Sequence, residues 1–358
     1  MVFLNIAIVS IRSLTGFGGM ETVISTVIKE LEANGDTVNL ILRHSSKVDT
    51  AWADDLKCHI INDGGGMFKK GVYCYRLTRL LCCLQPDLVI AVQPNAIPYL
   101  RFYRYLRRSK IRIGSWLHFS LTSMQLRKLK YLDNYDFHLA ISSGIANAFN
   151  ERLKSETKNS YLVYNPTVSV EGTIKRPNIP NFIYLGRLMY DGQKRVNDFL
   201  YALAQTKGNW KATILGNGPD TDKLKQLACD LNIADRIEWL GWLKDPWGSV
   251  QEASALVLTS DYEGFPMVLI EALNRGLACI SSDCPTGPSD IILPEQNGWL
   301  YPLRDIKALT EILQKIVDEP ETSLPDQQII KQSGQRFATK HIIPRIRNAL
   351  ITEMNKIV

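Results

Sequence analysis

The chain has no paired cysteine spacing and no histidine cluster. Its seven cysteines, Cys58, Cys74, Cys82, Cys83, Cys229, Cys279 and Cys284, are odd in number and contain no C-x-x-C, which argues against a disulfide framework and a zinc site. Reduced, mostly buried thiols are the expectation. The five histidines form neither HExxH nor His-x-His, so no protein-held metal is expected. Low-complexity tracts and internal repeats are missing as well. No apolar run approaches the roughly 18–20 residues that span a bilayer. The opening MVFLNIAIVSIRS lacks the basic region before, and the small-residue cleavage site after, its apolar run that a secretory signal carries. It reads as a first β-strand, and the chain as a cytoplasmic protein that is at most peripheral to a membrane.

Acid is missing from one stretch in particular. Between Leu88 and Leu132 there is no Asp or Glu, whereas Arg101, Arg104, Arg107, Arg108, Lys110, Arg112, Arg127, Lys128 and Lys130 all fall there. Residues 1–165 carry 21 Lys/Arg against 13 Asp/Glu, and 166–358 carry 21 against 23, so the net charge of +6 resides in the first half. A helix over 98–109 would line Tyr99, Phe102, Tyr103 and Leu106 on one face and Arg101, Arg104 and Arg108 on another. A solvated helix face, an anionic membrane surface and a polyanionic partner all fit that pattern. A nucleic-acid role for 101–130, with Phe102, Tyr103 and Tyr105 interleaved, is the weakest reading, because no nucleic-acid-binding motif accompanies it.

What is present is a twofold alternation of short apolar runs with helical periodicity. Strands near 3–10, 37–42, 87–92, 111–116 and 137–142, with a helix from Met20 to about Asn34, predict parallel βαβ units. The proline-rich, aperiodic 168–180 reads as a linker between a first domain, 1–167, and a second, 181–358. The second series runs strand NFIYLGRL, helix 195–206, strand KATILG, a helix to Leu231, strand RIEWLG, a short helix near 246–252, strand ALVLTS, a helix after Pro266 and strand LACISSD.

Glycine-rich turns follow a strand in each half: TGFGGME, 15–21, with Gly18 and Gly19, and LGNGPD, 215–220, with Gly216 and Gly218. Neither is a dinucleotide fingerprint, although such turns can bring backbone amides against a phosphate. In DYEGFPMVLIEAL, 261–273, Glu263 lies just before a helix begun by Pro266 and Glu271 lies inside it, in otherwise apolar company. Each has an ordinary explanation, as a charge at a positive helix end and as a surface acid. Upstream, YLGRLMYDGQKR supplies Arg187 at a strand's carboxyl end and Lys194 seven residues on. Ligands of doubly wound domains bind at carboxyl ends of strands, where Arg187, the Gly216–Gly218 turn and Glu263 would converge. Two cations beside helix-start amides suit a diphosphate, and two carboxylates suit vicinal hydroxyls. DTD at 220–222 mimics a metal motif but opens a helix, where acids are expected as caps.

Glu263-x7-Glu271 within EGFPMVLIEAL, with LGRL…K, GNGP, GFGGMETVIS, SWLHFS, LAISSGI, YNP and SSDCPTGPSD, resembles the retaining GT-B glycosyltransferases of family four over nearly the whole chain. The resemblance implies an α/β fold of two doubly wound Rossmann-like domains facing a central cleft, with the last helix, about 341–356, packing back on the first. It implies that Arg187 and Lys194 bind the diphosphate and stabilise departing UDP, and that Glu271 accepts from the ribose. Glu263 and the Phe265, Pro266 and Met267 backbone would hold the donor sugar. Gly18 and Gly19 would close over the donor, and His118 would lie near the transferred sugar. The implied activity is transfer of a hexose, galactose from UDP-galactose, to a lipopolysaccharide core sugar with retention. It uses no metal, and the protein would be peripheral on the inner face of the bacterial inner membrane. The alternative within the fold is another nucleotide sugar, a glucosyl- or mannosyltransferase of capsule or O-antigen assembly.

Overall fold

The computed structural model describes residues 2–11, 18–44, 51–62, 68–119, 130–153 and 159–356. The expectations for Thr15–Phe17, Ser120, Arg127 and Lys128 lie outside them. The chain divides into two units, Met1–Thr167 with Thr339–Val358, and Val168–Ala338.

The first unit contains β1 (Asn5–Ser10), α1 (Gly19–Ala33), β2 (Thr37–Arg43), β3 (Cys58–Ile61), α2 (Lys69–Leu84) and β4 (Leu88–Ala91). After these come α3 (Ile97–Leu106), β5 (Arg112–Trp116), β6 (Phe137–Ala140), α4 (Ser143–Leu153) and β7 (Asn159–Leu162). Its strands form one parallel sheet in the order β3-β2-β1-β4-β5-β6-β7. β1 and β4 are apolar without alternation, as strands covered on both faces must be. Chain order reverses between β1 and β4, and Gln93 fastens that point: Gln93 Oε1 accepts from Ile11 N at 2.9 Å and Nε2 donates to Ser10 Oγ at 3.0 Å.

The second unit contains β8 (Asn181–Leu185), α5 (Val196–Gln205), β9 (Lys211–Leu215), α6 (Thr221–Asp230), β10 (Ile237–Gly241), β11 (Ala255–Leu258) and α7 (Met267–Leu273). It continues with β12 (Ala278–Ser282), α8 (Pro288–Ile291), β13 (Gly298–Tyr301), α9 (Ile306–Asp318) and α10 (Gln327–Gly334). The parallel sheet runs β10-β9-β8-β11-β12-β13, so its order reverses between β8 and β11. Both units are doubly wound, Rossmann-like α/β layers.

Several local expectations differ from what is observed. The short helix near 246–252 is a single 3₁₀ turn, Trp247–Ser249, because Asp245 Oδ1 takes the Gly248 amide at 3.1 Å. In α3 the apolar residues divide: Leu100 and Tyr103 enter the core, whereas Phe102 and Leu106 are exposed. Arg104 is half-buried against Asp136 at 2.7 Å. All seven cysteines are free thiols, but only Cys279 and Cys284 are buried. Residues 168–180 pack on the second unit: Ile174 is buried, and its amide donates to the Arg275 carbonyl at 2.9 Å. Among the described residues, no helix is long and apolar enough to cross a membrane.

The closing helix, α11 (Thr339–Asn355), belongs to the first unit. Arg347 Nε grips Asp36 at 2.8 Å, and the fully buried Glu353 receives Arg112, Tyr161 Oη at 2.7 Å and Lys356 Nζ at 2.6 Å. Burial by itself would raise the Glu353 carboxyl; its bonds from Lys356, Tyr161 and Arg112 outweigh that and hold it below the usual range. A depressed carboxylate pKa contributes stability that is complete above the unfolded value and is lost as pH falls through the folded one. Glu353→Ala should therefore lower unfolding free energy by about 3 kcal/mol at neutral pH, near the lower end for breaking a buried pair because Arg112 keeps some water contact. The difference from wild type should shrink below about pH 4. Urea titrations at both pH values check this.

Candidate active site

The reversal point of the second sheet sets two loops side by side, one after β8 and one after β11. Backbone and side-chain bonds stitch them. Asp261 N donates to the Gln193 carbonyl at 2.8 Å, Thr259 Oγ1 to the Lys194 carbonyl at 2.8 Å, and Gln193 Nε2 to the Tyr262 carbonyl at 3.2 Å. The consequence is that Lys194 Nζ meets Glu263 Oε1 at 2.6 Å, with 19% and 9% of the two side chains exposed. From below, Thr286 Oγ1 donates to the Glu263 carbonyl, and the buried Cys284 thiol is pushed up to about 12 by burial and then by the Glu263 charge. Gly287, at φ +100°, admits this approach, since a Cβ there would lie 2.6 Å from Pro266 Cδ.

Arg187 stands on the same loop as Lys194. Its carbonyl accepts from Tyr184 Oη at 3.1 Å, which fixes the backbone, while the guanidinium is exposed with no ion-pair partner among the described residues. Asp220 Oδ2 accepts from Tyr190 N at 2.9 Å, so the DTD segment braces this loop instead of capping its own helix. Among the described residues no group of three metal-ligating side chains is gathered.

Gly216 and Gly218 do sit at the rim, but their amides are spent inside the protein. Gly216 N donates to the Gly241 carbonyl at 2.7 Å, and Gly218 N to Asn217 Oδ1 at 2.9 Å. A Cβ at either position would overlap the carbonyl oxygen of Gly186 or Leu188. Their contribution visible in the structure is to let the β9 loop press against the Arg187 loop.

Pro266 likewise cannot offer an amide, because it has none. It occupies the N-cap of α7 with extended backbone, not the first turn. Phe265 is buried with its ring edge-on to Phe337 at 5.3 Å. The Met267 and Val268 amides are the first-turn donors that lack an acceptor within the helix. Met267, Glu271 and Arg275 recur every four residues along one stripe of this segment. Trp247 Nε1 donates to Glu271 Oε2 at 2.8 Å and Arg275 lies 4.7 Å over the same indole, leaving Glu271 Oε1 without a hydrogen bond among the described residues. Trp247 and Arg275 were not legible as site residues, for Trp247 comes from a loop more than twenty positions away.

His118, Gly18 and Gly19 lie in the first unit. Gly18 is the N-cap of α1 and Gly19 its first residue, both exposed at the end of the β1 loop. His118 follows β5, its ring 4.5 Å from that of Trp116. Both ring nitrogens are buried without a hydrogen-bond partner among the described residues, and burial lowers the imidazole to about 3. It is therefore neutral near pH 7, with one donor and one acceptor unused.

A family model for glycosyl transferases group 1 matches residues 171–336. Lipopolysaccharide 1,6-galactosyltransferase of Escherichia coli (strain K12) is 38% identical over 96% of this chain and 98% of its own. The chain belongs to the group 1 glycosyltransferase family. Lipopolysaccharide 1,6-galactosyltransferase of Salmonella typhimurium is 35% identical over the same shares. The solved lipopolysaccharide outer core galactosyltransferase WaaB superposes with a TM-score of 0.87, at 32% identity over 97% of this chain and 99% of that one. The two Rossmann-like units of this glycosyltransferase are thus those of the GT-B fold.

Two outcomes test the geometry. Lys194→Ala and Glu263→Ala should each lower stability, and the double variant should lose about 1–2 kcal/mol less than their sum, because each single change strands a partly buried charge; additive losses would contradict the pairing. The depressed His118 pKa means that its neutral form carries stability that is complete above about pH 6.5 and is lost as pH falls toward 3. The ring resonances of His118 should stay flat from pH 5.5 to pH 8 by NMR, where an exposed histidine would titrate near 6.5.

Proposed function

We propose that this glycosyltransferase moves galactose from UDP-galactose to a sugar of the lipopolysaccharide core with retention of anomeric configuration. The observation that carries the reading is full-length similarity to two lipopolysaccharide 1,6-galactosyltransferases, and the Lys194–Glu263 pair at the second unit's reversal point supports it. Cleaving the sugar–phosphate bond puts positive charge on the sugar and additional negative charge on UDP. Groups already aimed at those charges lower the barrier without reorganising.

On this reading the exposed Arg187 guanidinium and the Lys194 ammonium receive the diphosphate, and Lys194 is held for that task by Glu263. Glu263 and the Met267 amide hold donor-sugar hydroxyls. Glu271 Oε1 accepts from the ribose, with its other oxygen fixed by Trp247. His118, neutral and without a hydrogen-bond partner among the described residues, bonds hydroxyls of the transferred sugar. The leaving phosphate oxygen takes the acceptor's proton, so no carboxylate need act as nucleophile. A phosphorylated, lipid-borne acceptor makes peripheral attachment at the cytoplasmic face of the inner membrane part of the same proposal.

A donor panel scored by UDP release tests the activity: UDP-galactose should outperform UDP-glucose and GDP-mannose, and preference for either of those would move the enzyme to another polysaccharide. Arg187→Ala should cut turnover by about 10²–10³, the usual loss for one transition-state charge partner. Trp247→Phe should raise the donor KM several-fold while leaving kcat within about twofold, since it loosens a ground-state hydrogen bond worth roughly 1–2 kcal/mol. Equal losses in kcat and kcat/KM would instead tie Trp247 to the transition state.

A further inference from the structure

We infer that Arg195 is a positioning residue of the transfer site: its side-chain clamp holds a left-handed backbone turn that aims Lys194 at Glu263 and, in the proposed reaction, at the donor's diphosphate. Only the identity of that ligand rests on the proposed function. The turn and the clamp stand on their own geometry.

Arg195 follows Lys194 directly and is the N-cap of α5, with φ 44° and ψ 50°. In this left-handed conformation a Cβ crowds the following carbonyl oxygen, and only glycine adopts it freely. The loop needs the turn, because the next two amides reach backwards along the chain. Val196 N donates to the Met189 carbonyl at 2.9 Å and Asn197 N to the Tyr190 carbonyl at 3.3 Å, which closes 189–197 into the loop that carries Lys194. With an arginine at such a turn, surrounding interactions must offset the backbone cost.

The offset is a chain of four charges. Arg195 Nε and Nη2 donate to Asp198 Oδ2 at 2.7 Å and Oδ1 at 2.9 Å, a two-pronged pair made with the first turn of α5. Asp261 Oδ1 lies 3.6 Å from Arg195 Nε, and Arg304 grips Asp261 through Nε at 2.9 Å and Nη2 at 2.6 Å. Only 4% of the Asp198 side chain, 12% of Asp261 and 20% of Arg195 is exposed, so these pairs are screened far less than surface ones. Arg304 also has a positive φ, 63°. Of the seven described non-glycine residues with positive φ, two are therefore the arginines that converge on Asp261. Asp261 is itself fastened to the Lys194 loop by its amide, which donates to the Gln193 carbonyl. Charge pairing thus runs from the loop after β13, through the loop after β11, to the residue beside Lys194.

Arg195 acts through Lys194 and does not take the diphosphate itself. Its Nε and one terminal nitrogen are bound to a buried carboxylate, and its charge is matched by Asp198 and Asp261. An Arg is needed for this, since a Lys ammonium cannot reproduce the two-pronged geometry.

The test separates the backbone turn from the lost charge. Arg195→Ala and Arg195→Gly are each combined with Asp198→Asn, so that neither chain keeps a stranded carboxylate and the two differ only in how easily residue 195 turns left-handed. By calorimetric titration the alanine chain should bind UDP about tenfold more weakly than wild type, and the glycine chain should stay within about threefold. Uridine, which has no phosphate, should bind all three alike. A second readout needs no ligand: the Lys194–Glu263 coupling from a double-mutant cycle in urea should vanish in the alanine chain and persist in the glycine chain. Equal coupling in the two chains, or equal UDP affinity where wild type binds UDP, overturns the inference. Parallel loss of uridine affinity also overturns it, because Arg195 would then support the whole pocket and not Lys194. A wild type that binds no UDP, with coupling lost in the alanine chain and kept in the glycine chain, would keep the positioning role and remove the transferase reading.

Discussion

The Lys194–Glu263 ion pair is the constraint around which the second unit's rim is arranged. Two charges with so little solvent between them persist only where the backbone holds both, and here two adjacent parallel strands do so. The loop after β8 is pinned to the loop after β11 by three hydrogen bonds, and the segment after β9 braces it through Asp220 and presses against it at Gly216 and Gly218. Arg187 inherits its position from that bracing. In the proposed reaction, a cation presented on a fixed backbone would meet the donor's diphosphate without first being ordered.

The same logic extends to Glu271. A carboxylate on a helix is free to rotate unless something holds it, and the Trp247 indole holds one oxygen while directing the other outward. Arg275, depressed by its burial, lies over that indole. Rigidity is thereby passed from a loop turn to a helix through one N–H bond and one cation–π contact. In the first unit the comparable case is His118, where burial keeps the ring neutral and its two nitrogens have no hydrogen-bond partner among the described residues.

Charge is distributed with equal purpose. The second unit carries a near balance of acids and bases, much of it paired, as in the Arg195, Asp198, Asp261 and Arg304 cluster. The basic excess of the first unit is partly consumed internally: Arg104 serves Asp136 and Arg112 serves Glu353. Among the described residues, Lys69, Lys70, Arg79 and Arg107 on α2 and at the end of α3 are exposed without an ion-pair partner. Sequence patterning read α3 as one apolar and one basic face. The structure separates Tyr103, which reaches the core, from Phe102 and Leu106, which do not, because a helix packed beside α2 buries a narrower stripe than its periodicity suggests.

The sequence by itself determined the class of fold, since apolar runs that do not alternate specify strands covered on both sides, and helices between them specify parallel pairing. It also determined the chemistry available at the rim, because Arg187, Lys194, Glu263 and Glu271 are each attached to a strand end or helix start that local pattern locates. β3, β7 and β13 are not legible in the same way, because they are edge strands of four residues that are only partly buried and so lack a continuous apolar run. Only tertiary structure decided that Gly216 and Gly218 serve loop packing, that Trp247 orients Glu271, and that α11 returns to the first unit through Asp36, Arg112 and Tyr161. Each of these depends on contacts between segments whose separation along the chain carries no local signal, and on which backbone amides remain free once every neighbour has been satisfied.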